Sequence, residues 1–142
     1  MQPTRITLHS SFRIGAVEPR LFGGFLEHLG RAVYGGVYEP ESRHRDEHGC
    51  RQDVLAALAR LGLTVVRYPG GNFASGYHWL DGVGPQEKRT TVRELAWQSI
   101  ETNQFGTDEF VALCRRRGWA PMLTANLGTG TPEEACHWVE YC

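Results

Sequence analysis

The chain has 142 residues, and its 41% hydrophobic content is enough to form the core of one globular domain. Its formal net charge of −1 argues against nucleic acid or an anionic membrane surface as a partner. No apolar run is long enough to cross a bilayer and the N-terminus has no signal-peptide pattern, so we expect a cytoplasmic protein that does not bind membranes.

The first predicted elements are two strands and a helix. Residues 5–9, RITLH, alternate apolar and polar side chains, which predicts a short, half-exposed strand. The glycine-rich stretch 19–30, PRLFGGFLEHLG, favours a strand that packs closely against its neighbours. Residues 52–62, QDVLAALARLG, predict a helix that stops at its final glycine. Its apolar face would contain Val54, Leu55, Leu58 and Leu61.

A buried strand and a second helix follow. Residues 63–68, LTVVRY, form a continuous apolar run that ends in an arginine and a tyrosine. Residues 106–118, GTDEFVALCRRRG, predict a helix with Thr107 as its N-cap and Gly118 as its stop signal.

A third strand and a third helix complete the pattern. Residues 120–126, APMLTAN, predict the strand, and 131–142, TPEEACHWVEYC, predict a helix capped by Thr131. The apolar face of that helix would contain Ala135, Trp138, Val139 and Cys142. Buried strands that alternate with helices indicate right-handed βαβ units and a parallel sheet, which is an α/β fold. Because the last helix has no stop signal and three βα units cannot close a barrel, we expect the sequence to be the first part of a longer protein.

Polar residues follow each of the three predicted parallel strands. Glu27 and His28 follow the first, Arg67 and Asn72 the second, and Asn126 the third. The carboxyl ends of parallel strands share one edge of a sheet, so these groups are expected to face a common cleft. Carboxylate, guanidinium and amide groups at one edge suit a ligand rich in hydroxyls, such as a sugar. The long connection after the second strand adds aromatic rings that can pack on sugar faces, namely Phe73, Tyr77, Trp79 and Trp97.

Each of these residues also has a structural interpretation. Glu27 and Arg67 could form a salt bridge with each other, and Asn72 could serve the turn after Gly70 and Gly71. Tryptophans of this kind are more often found in the core. The sugar-site interpretation is favoured because polar residues occur at the same position after three successive strands.

Two further motifs indicate other ligands. GTGTPE, residues 128–133, follows a strand and opens a helix like a dinucleotide-binding loop, but Glu133 occupies the position that needs a small residue. His44, His48 and Cys50 could hold zinc, although no second ligand pair frames them. Because the four cysteines show no CxxC spacing, we expect reduced thiols.

Four long segments resemble the N-terminal part of the glycoside hydrolase family 51 α-L-arabinofuranosidases. They are FGGFLEHLGRAVYGGVYEP, VVRYPGGNFASGYHWLDGVGP, LAWQSIETNQFGTDEF and NLGTGTPEEACHWVEYC, and they occur in the family's order. The resemblance implies a (β/α)8 TIM barrel followed by a β-sandwich. Residues 1–17 would contribute a strand to that sandwich, and residues 18–142 would form strands 1–3 and helices 1–3 of the catalytic barrel.

The resemblance also implies retaining hydrolysis of terminal arabinofuranosyl residues by two glutamates, an acid/base and a nucleophile. Both would lie beyond Cys142, so no catalytic residue is expected in this chain. Glu27 and Asn72 match positions that bind arabinose hydroxyls, Arg67 matches an arginine that supports the nucleophile region, and Trp97 matches an aromatic wall. No cofactor or metal is implied. Arabinose-containing oligosaccharides would be the substrate, and a homo-oligomer is expected at full length.

Two alternatives from other functional classes stay open at this point. One is a non-catalytic carbohydrate-binding or assembly fragment that uses only the sugar-binding edge. The other is a nucleotide-dependent α/β enzyme that uses the GTGT loop.

Overall fold

The computed structural model describes residues 3–142. Its strands are β1 (Gly23–Phe25), β2 (Val65–Tyr68), β3 (Val92–Arg93), β4 (Ile100–Glu101) and β5 (Ala120–Leu123). Its α-helices are α1 (Gln52–Ala59), α2 (Thr107–Arg117) and α3 (Pro132–Tyr141).

The central sheet is parallel and has three strands in the order β1-β2-β5. Phe25 pairs with Arg67 and Arg67 with Met122, so these three side chains form one row across the sheet. Strands β3 and β4 form a separate antiparallel hairpin inside the long connection between β2 and α2. The predicted α/β fold with alternating strands and helices is confirmed, and β2 lies at the centre of the sheet.

The main core lies between the sheet and helices α1 and α2. Leu55 of α1 and Phe110 and Leu113 of α2 are buried against Val66 of β2. The ring of Phe110 stacks on Tyr68, with centroids 4.5 Å apart. The sequence predicts most of this core because apolar side chains recur at helical spacing.

A second cluster joins the long connection to α3. Trp79 and Trp138 are both buried, and their ring planes lie 5° apart. The indole N–H of Trp79 donates to the carbonyl of Glu134 (3.1 Å), and that of Trp138 donates to the hydroxyl of Thr107 (3.0 Å). Thr107 is therefore a buried acceptor at the first position of α2, and the predicted N-cap role falls to Gly106.

The structure of this chain contains no strand at residues 5–9, and the predicted contribution of this segment to a β-sandwich stays a prediction. These residues are exposed, with Ile6 at 83% and Leu8 at 91%, and they pair with no other described residue. A strand needs backbone partners on a neighbouring strand. Alternation of side chains alone cannot provide them.

Three positions on the predicted helix faces are also exposed. Leu61 lies after the end of α1, and Val139 and Cys142 point away from the core that buries Trp138. Helical spacing shows which side chains share a face, but it does not show how far the covering layer extends. Within residues 3–142, no helix is both long and apolar enough to span a bilayer.

Candidate functional site

Glu27 lies at the C-terminal end of β1 and is almost completely buried. Its Oε1 accepts hydrogen bonds from the backbone N–H groups of Gly71 (3.0 Å) and Phe73 (3.1 Å). A Cβ on Gly70 would lie 2.9 Å from the Cδ and Oε1 of Glu27, so only glycine fits beside the carboxylate. Oε2 has no hydrogen-bond partner among the described residues.

Arg67 lies beside Phe25 in the sheet and forms no salt bridge with Glu27, which follows β1 by two residues. Its Nε donates to the hydroxyl of Thr124 (2.8 Å), and its guanidinium lies 5.0 Å from the ring centre of Phe25. The salt bridge between Glu27 and Arg67 that the sequence suggested is not formed. Sequence reasoning missed Phe25 and Thr124 as the supports of Arg67, although a parallel register would have placed Phe25 beside it.

Asn72 follows the Gly-Gly turn and is exposed. Its backbone is in the right-handed helical region (φ −61°), so it does not serve the turn through a left-handed conformation. Its side-chain amide makes no hydrogen bond to a described residue. It lines an open cleft of ≈ 460 Å³ together with Leu95, Ala96 and Gly128.

Trp97 lies in the loop between β3 and β4, next to Ala96 of that cleft, and its ring is 39% exposed. The loop is organised by Glu94, whose carboxylate accepts from the backbone N–H groups of Ala96 (2.7 Å), Trp97 (2.8 Å) and Ser99 (2.9 Å). Burial would raise the pKa of Glu94, but these N–H groups outweigh it and hold the pKa below its ordinary value. The role of Glu94 was not predicted, because an acid three residues before a proposed aromatic wall has no sequence signature.

His28 points into the protein rather than into the cleft. Its Nδ1 lies 2.9 Å from Oε2 of Glu101, and both side chains are buried. Its ring stacks on Phe73, with centroids 4.6 Å apart. The predicted edge position of His28 is correct, but its partners are internal.

Asn126 is a structural residue rather than a ligand contact. Its side chain is buried, donates to the carbonyl of Tyr77 (3.1 Å) and accepts from the N–H groups of Gly128 and Thr129 (both 3.0 Å). These bonds shape the GTGT loop. The loop packs on Ser75, whose carbonyl would lie 2.6 Å from a Cβ on Gly128. Contact with Ser75 therefore explains this glycine without a nucleotide.

The other aromatic residues predicted for the site belong to the core. Phe73, Tyr77 and Trp79 are each 5% exposed or less. Of the four aromatic candidates, Trp97 alone presents its ring at the surface.

The candidate zinc residues do not converge. His44 contacts Arg43, His48 lies near Glu47, and Cys50 is buried beside the guanidinium of Arg116. Among residues 3–142, no three His, Cys, Asp or Glu side chains are placed to hold a metal ion.

The segments that follow the C-terminal ends of β1 and β2 thus carry a carboxylate oxygen and an amide without hydrogen-bond partners among residues 3–142, together with the partly exposed Trp97. An α/β domain with these groups at one edge belongs to the class of proteins with a candidate carbohydrate site.

Comparison with known proteins identifies the family. The family model "Alpha-L-arabinofuranosidase 1 domain" matches residues 57–142. The chain is 54% identical to the probable alpha-L-arabinofuranosidase C of Aspergillus niger, covering 96% of this chain and 27% of that protein. It is 52% identical to the intracellular exo-alpha-(1->5)-L-arabinofuranosidase of Streptomyces lividans, covering 99% and 22%.

Solved structures agree with this assignment. The arabinose complex of the alpha-L-arabinofuranosidase from Thermotoga maritima superposes with a TM-score of 0.83 at 55% identity, covering 84% of this chain and 25% of that one. The chain therefore belongs to the glycoside hydrolase family 51 α-L-arabinofuranosidases and corresponds to their N-terminal part. It spans about a quarter of the length of the relatives it matches.

Proposed function

We propose that the whole protein is a retaining α-L-arabinofuranosidase that removes terminal arabinofuranosyl residues from arabinose-containing oligosaccharides. The relatives carry this activity in their names, and a related structure is described as an arabinose complex. The observation that carries the proposal is the state of Glu27. One of its oxygens is fixed by two backbone N–H groups, while the other has no hydrogen-bond partner within residues 3–142.

In this proposal, Oε2 of Glu27 and the amide of Asn72 hydrogen-bond hydroxyls of the arabinofuranosyl ring. Phe73, which binds Glu27 through its N–H, directly follows Asn72, so the two groups are held by the same short loop. Arg67 has its Nε occupied by Thr124 and keeps its two terminal nitrogens for the nucleophile region. The exposed ring of Trp97 forms a wall against the apolar face of the sugar.

The rest of the catalytic apparatus is assigned to other parts of the protein. Retention requires two carboxyl groups about 5 to 5.5 Å apart across the scissile bond. Glu27 is the carboxylate that we assign to the rim in this chain, so this chain supplies binding groups, and the acid/base and nucleophile glutamates are assigned to later strands. In this proposal residues 18–142 are the first three βα units of a (β/α)8 barrel, residues 1–17 add a strand to a β-sandwich, and no cofactor is needed.

Two further attributes are proposed for the whole protein. A cytoplasmic location is supported by the Streptomyces lividans relative, which is named intracellular. We also propose that the whole protein forms a homo-oligomer.

Kinetics of the whole protein test the proposed function. In Glu27→Ala and Asn72→Ala, a sugar hydroxyl loses its partner in a desolvated site, which costs about 1 to 3 kcal/mol. We expect kcat/KM for 4-nitrophenyl α-L-arabinofuranoside to fall by roughly tenfold to a hundredfold in each variant. Glu87→Ala is the matched control, because Glu87 is exposed and makes no hydrogen bond through its side chain. Wild-type kinetics in both rim variants would contradict the proposal.

A non-catalytic carbohydrate-binding protein is the second candidate, because the rim residues in this chain are all binding groups. Saturable arabinose binding by the whole protein without any turnover of the aryl arabinofuranoside would favour it.

A further inference from the structure

We infer that the buried pair of His28 and Glu101 is a positioning device that holds the Trp97 hairpin against the strand end carrying Glu27. This inference rests on the proposed function, because it concerns the two walls of the proposed sugar site. Neither side chain is assigned a contact with the substrate.

The pair connects two separate parts of the chain. His28 directly follows Glu27 after β1, and Glu101 lies in β4, the second strand of the hairpin whose loop carries Trp97. The hydroxyl of Tyr34 donates to Oε1 of Glu101, and the N–H of Asn103 donates to the same oxygen (2.6 Å). Glu101 is therefore contacted by His28 and Tyr34 from the segment after β1, and by Asn103 from its own segment.

Each ring nitrogen of His28 has a polar neighbour. The hydroxyl of Tyr68 lies 3.0 Å from both Nε2 of His28 and the carbonyl of Phe105. Because a carbonyl only accepts, Tyr68 donates to Phe105, and His28 must donate to Tyr68 through Nε2. Nδ1 lies on the other side of the ring, 2.9 Å from Oε2 of Glu101. Burial would raise the pKa of Glu101, but its contacts with His28 and Tyr34 outweigh burial and hold the pKa below its ordinary value.

The same histidine also supports the other wall. Its ring stacks on Phe73, and the N–H of Phe73 donates to Glu27. Displacement of His28 would move Phe73 and with it one of the two hydrogen bonds that orient the Glu27 carboxylate.

The hairpin has few other attachments to the body of the protein. Leu95 and Ile100 are both 64% exposed, and Trp97 is 39% exposed, so the hairpin buries little apolar surface. A small cavity of ≈ 100 Å³ lies beneath it, lined by Tyr77, Glu94 and Glu101 among others. With little apolar packing, the position of the hairpin depends on the polar anchor at Glu101.

The test follows Trp97 directly in the whole protein. The protein is labelled with 5-fluorotryptophan, and Trp97→Phe identifies the fluorine resonance of Trp97. In Glu101→Gln we expect that resonance to shift or broaden, and kcat/KM for 4-nitrophenyl α-L-arabinofuranoside to fall about tenfold, mainly through KM. Because Glu101 acts through Trp97, the fold-loss in kcat/KM of the double variant Glu101→Gln/Trp97→Phe should be smaller than the product of the fold-losses of the two single variants. Tyr34→Phe is a milder second variant that removes one bond to Glu101.

Asp53→Asn is the control. Asp53 lies in the first turn of α1, accepts two hydrogen bonds from Arg51 (3.1 and 2.6 Å) and contacts neither Glu27 nor the Trp97 loop. We expect it to leave the Trp97 resonance and KM unchanged. An unchanged Trp97 resonance in both Glu101→Gln and Tyr34→Phe, or fully multiplicative losses in the double variant, would overturn the inference. Absence of turnover in the wild type would instead contradict the proposed function, and the fluorine signal would still decide the positioning role.

Discussion

The two ends of the central sheet are built differently. All the buried polar residues lie in segments that leave the C-terminal ends of the strands, namely Glu27, His28, Glu94, Glu101, Asn103, Thr107 and Asn126. The turn before the N-terminal end of β2 contains the exposed Leu61 and Gly62 and no buried polar side chain. Burying polar groups is unfavourable unless each finds a partner. The buried polar residues, which are unfavourable without partners, therefore lie at the end of the sheet that carries the candidate site.

The largest expected effect comes from adding a methyl group beside Glu27. In Gly70→Ala, the new Cβ would meet the buried carboxylate and Gly70 has a φ of +152°, so we expect a loss of about 2 to 4 kcal/mol in the free energy of unfolding. Gly62→Ala is the control at the opposite end, where φ is +63° but no atom lies within 4 Å of the Cβ. It should cost only about 1 to 2 kcal/mol. Urea unfolding of both variants measures the difference, and equal losses would contradict the comparison.

Asn126→Ala should have the next largest effect. It removes a buried side chain that bonds Tyr77, Gly128 and Thr129, and we expect a loss of about 1 to 3 kcal/mol from the groups left without partners. Asn126→Asp keeps an acceptor for the two N–H groups and should lose less. If Asn126→Ala unfolded at the wild-type urea concentration but bound arabinosides more weakly, Asn126 would be a ligand contact after all.

A pH-dependent effect is expected from Glu101. Its pKa is lower in the folded protein than its ordinary value, so the charged form stabilises the fold at pH values above the ordinary pKa of glutamate, and this stabilisation is lost as the pH falls through the lower folded pKa. His28 and Tyr34 contact this carboxylate, and Tyr68 and Tyr77 nearby stay neutral in this range. The difference in thermal midpoint between wild type and Glu101→Gln should therefore shrink on acidification below that ordinary pKa. A difference that grows on acidification would show that the charged carboxylate of Glu101 does not stabilise the fold, which would contradict this prediction.

The smallest effect is expected at the N-terminal end of the sheet. Leu61 is 66% exposed, so Leu61→Ala should change the free energy of unfolding by less than about 0.5 kcal/mol. A cost typical of a core leucine would show that Leu61 is covered in the whole protein.

The regular elements could be predicted from the sequence because their signals are local. Helical spacing defines both α2 and α3, with Gly118 as the stop signal of α2 and Thr131 as the N-cap of α3. Apolar runs define β2 and β5. The strand expected at residues 5–9 could not be judged in the same way. The alternation of apolar and polar side chains is a local signal, but a strand also needs a partner strand, which a local signal does not identify.

The site was only partly predictable for a similar reason. The rule that ligands bind at the C-terminal ends of parallel strands correctly placed Glu27, Arg67 and Asn72 at one edge. It could not separate side chains that face the cleft from those that build it, because Asn126 and His28 occupy the same kind of position and point inward. Which way a loop side chain turns depends on partners that are distant in sequence, such as Tyr77 and Glu101.

A crystal structure of the whole protein with a bound arabinofuranosyl ligand tests the central claim most directly. The account predicts ring hydroxyls within about 2.6 to 3.2 Å of Oε2 of Glu27 and of the Asn72 amide, with the sugar face against Trp97. In that complex, Oε1 of Glu27 should still accept from Gly71 and Phe73. A ligand bound at another surface, with Glu27 and Asn72 contacting only water or protein, would contradict the assignment.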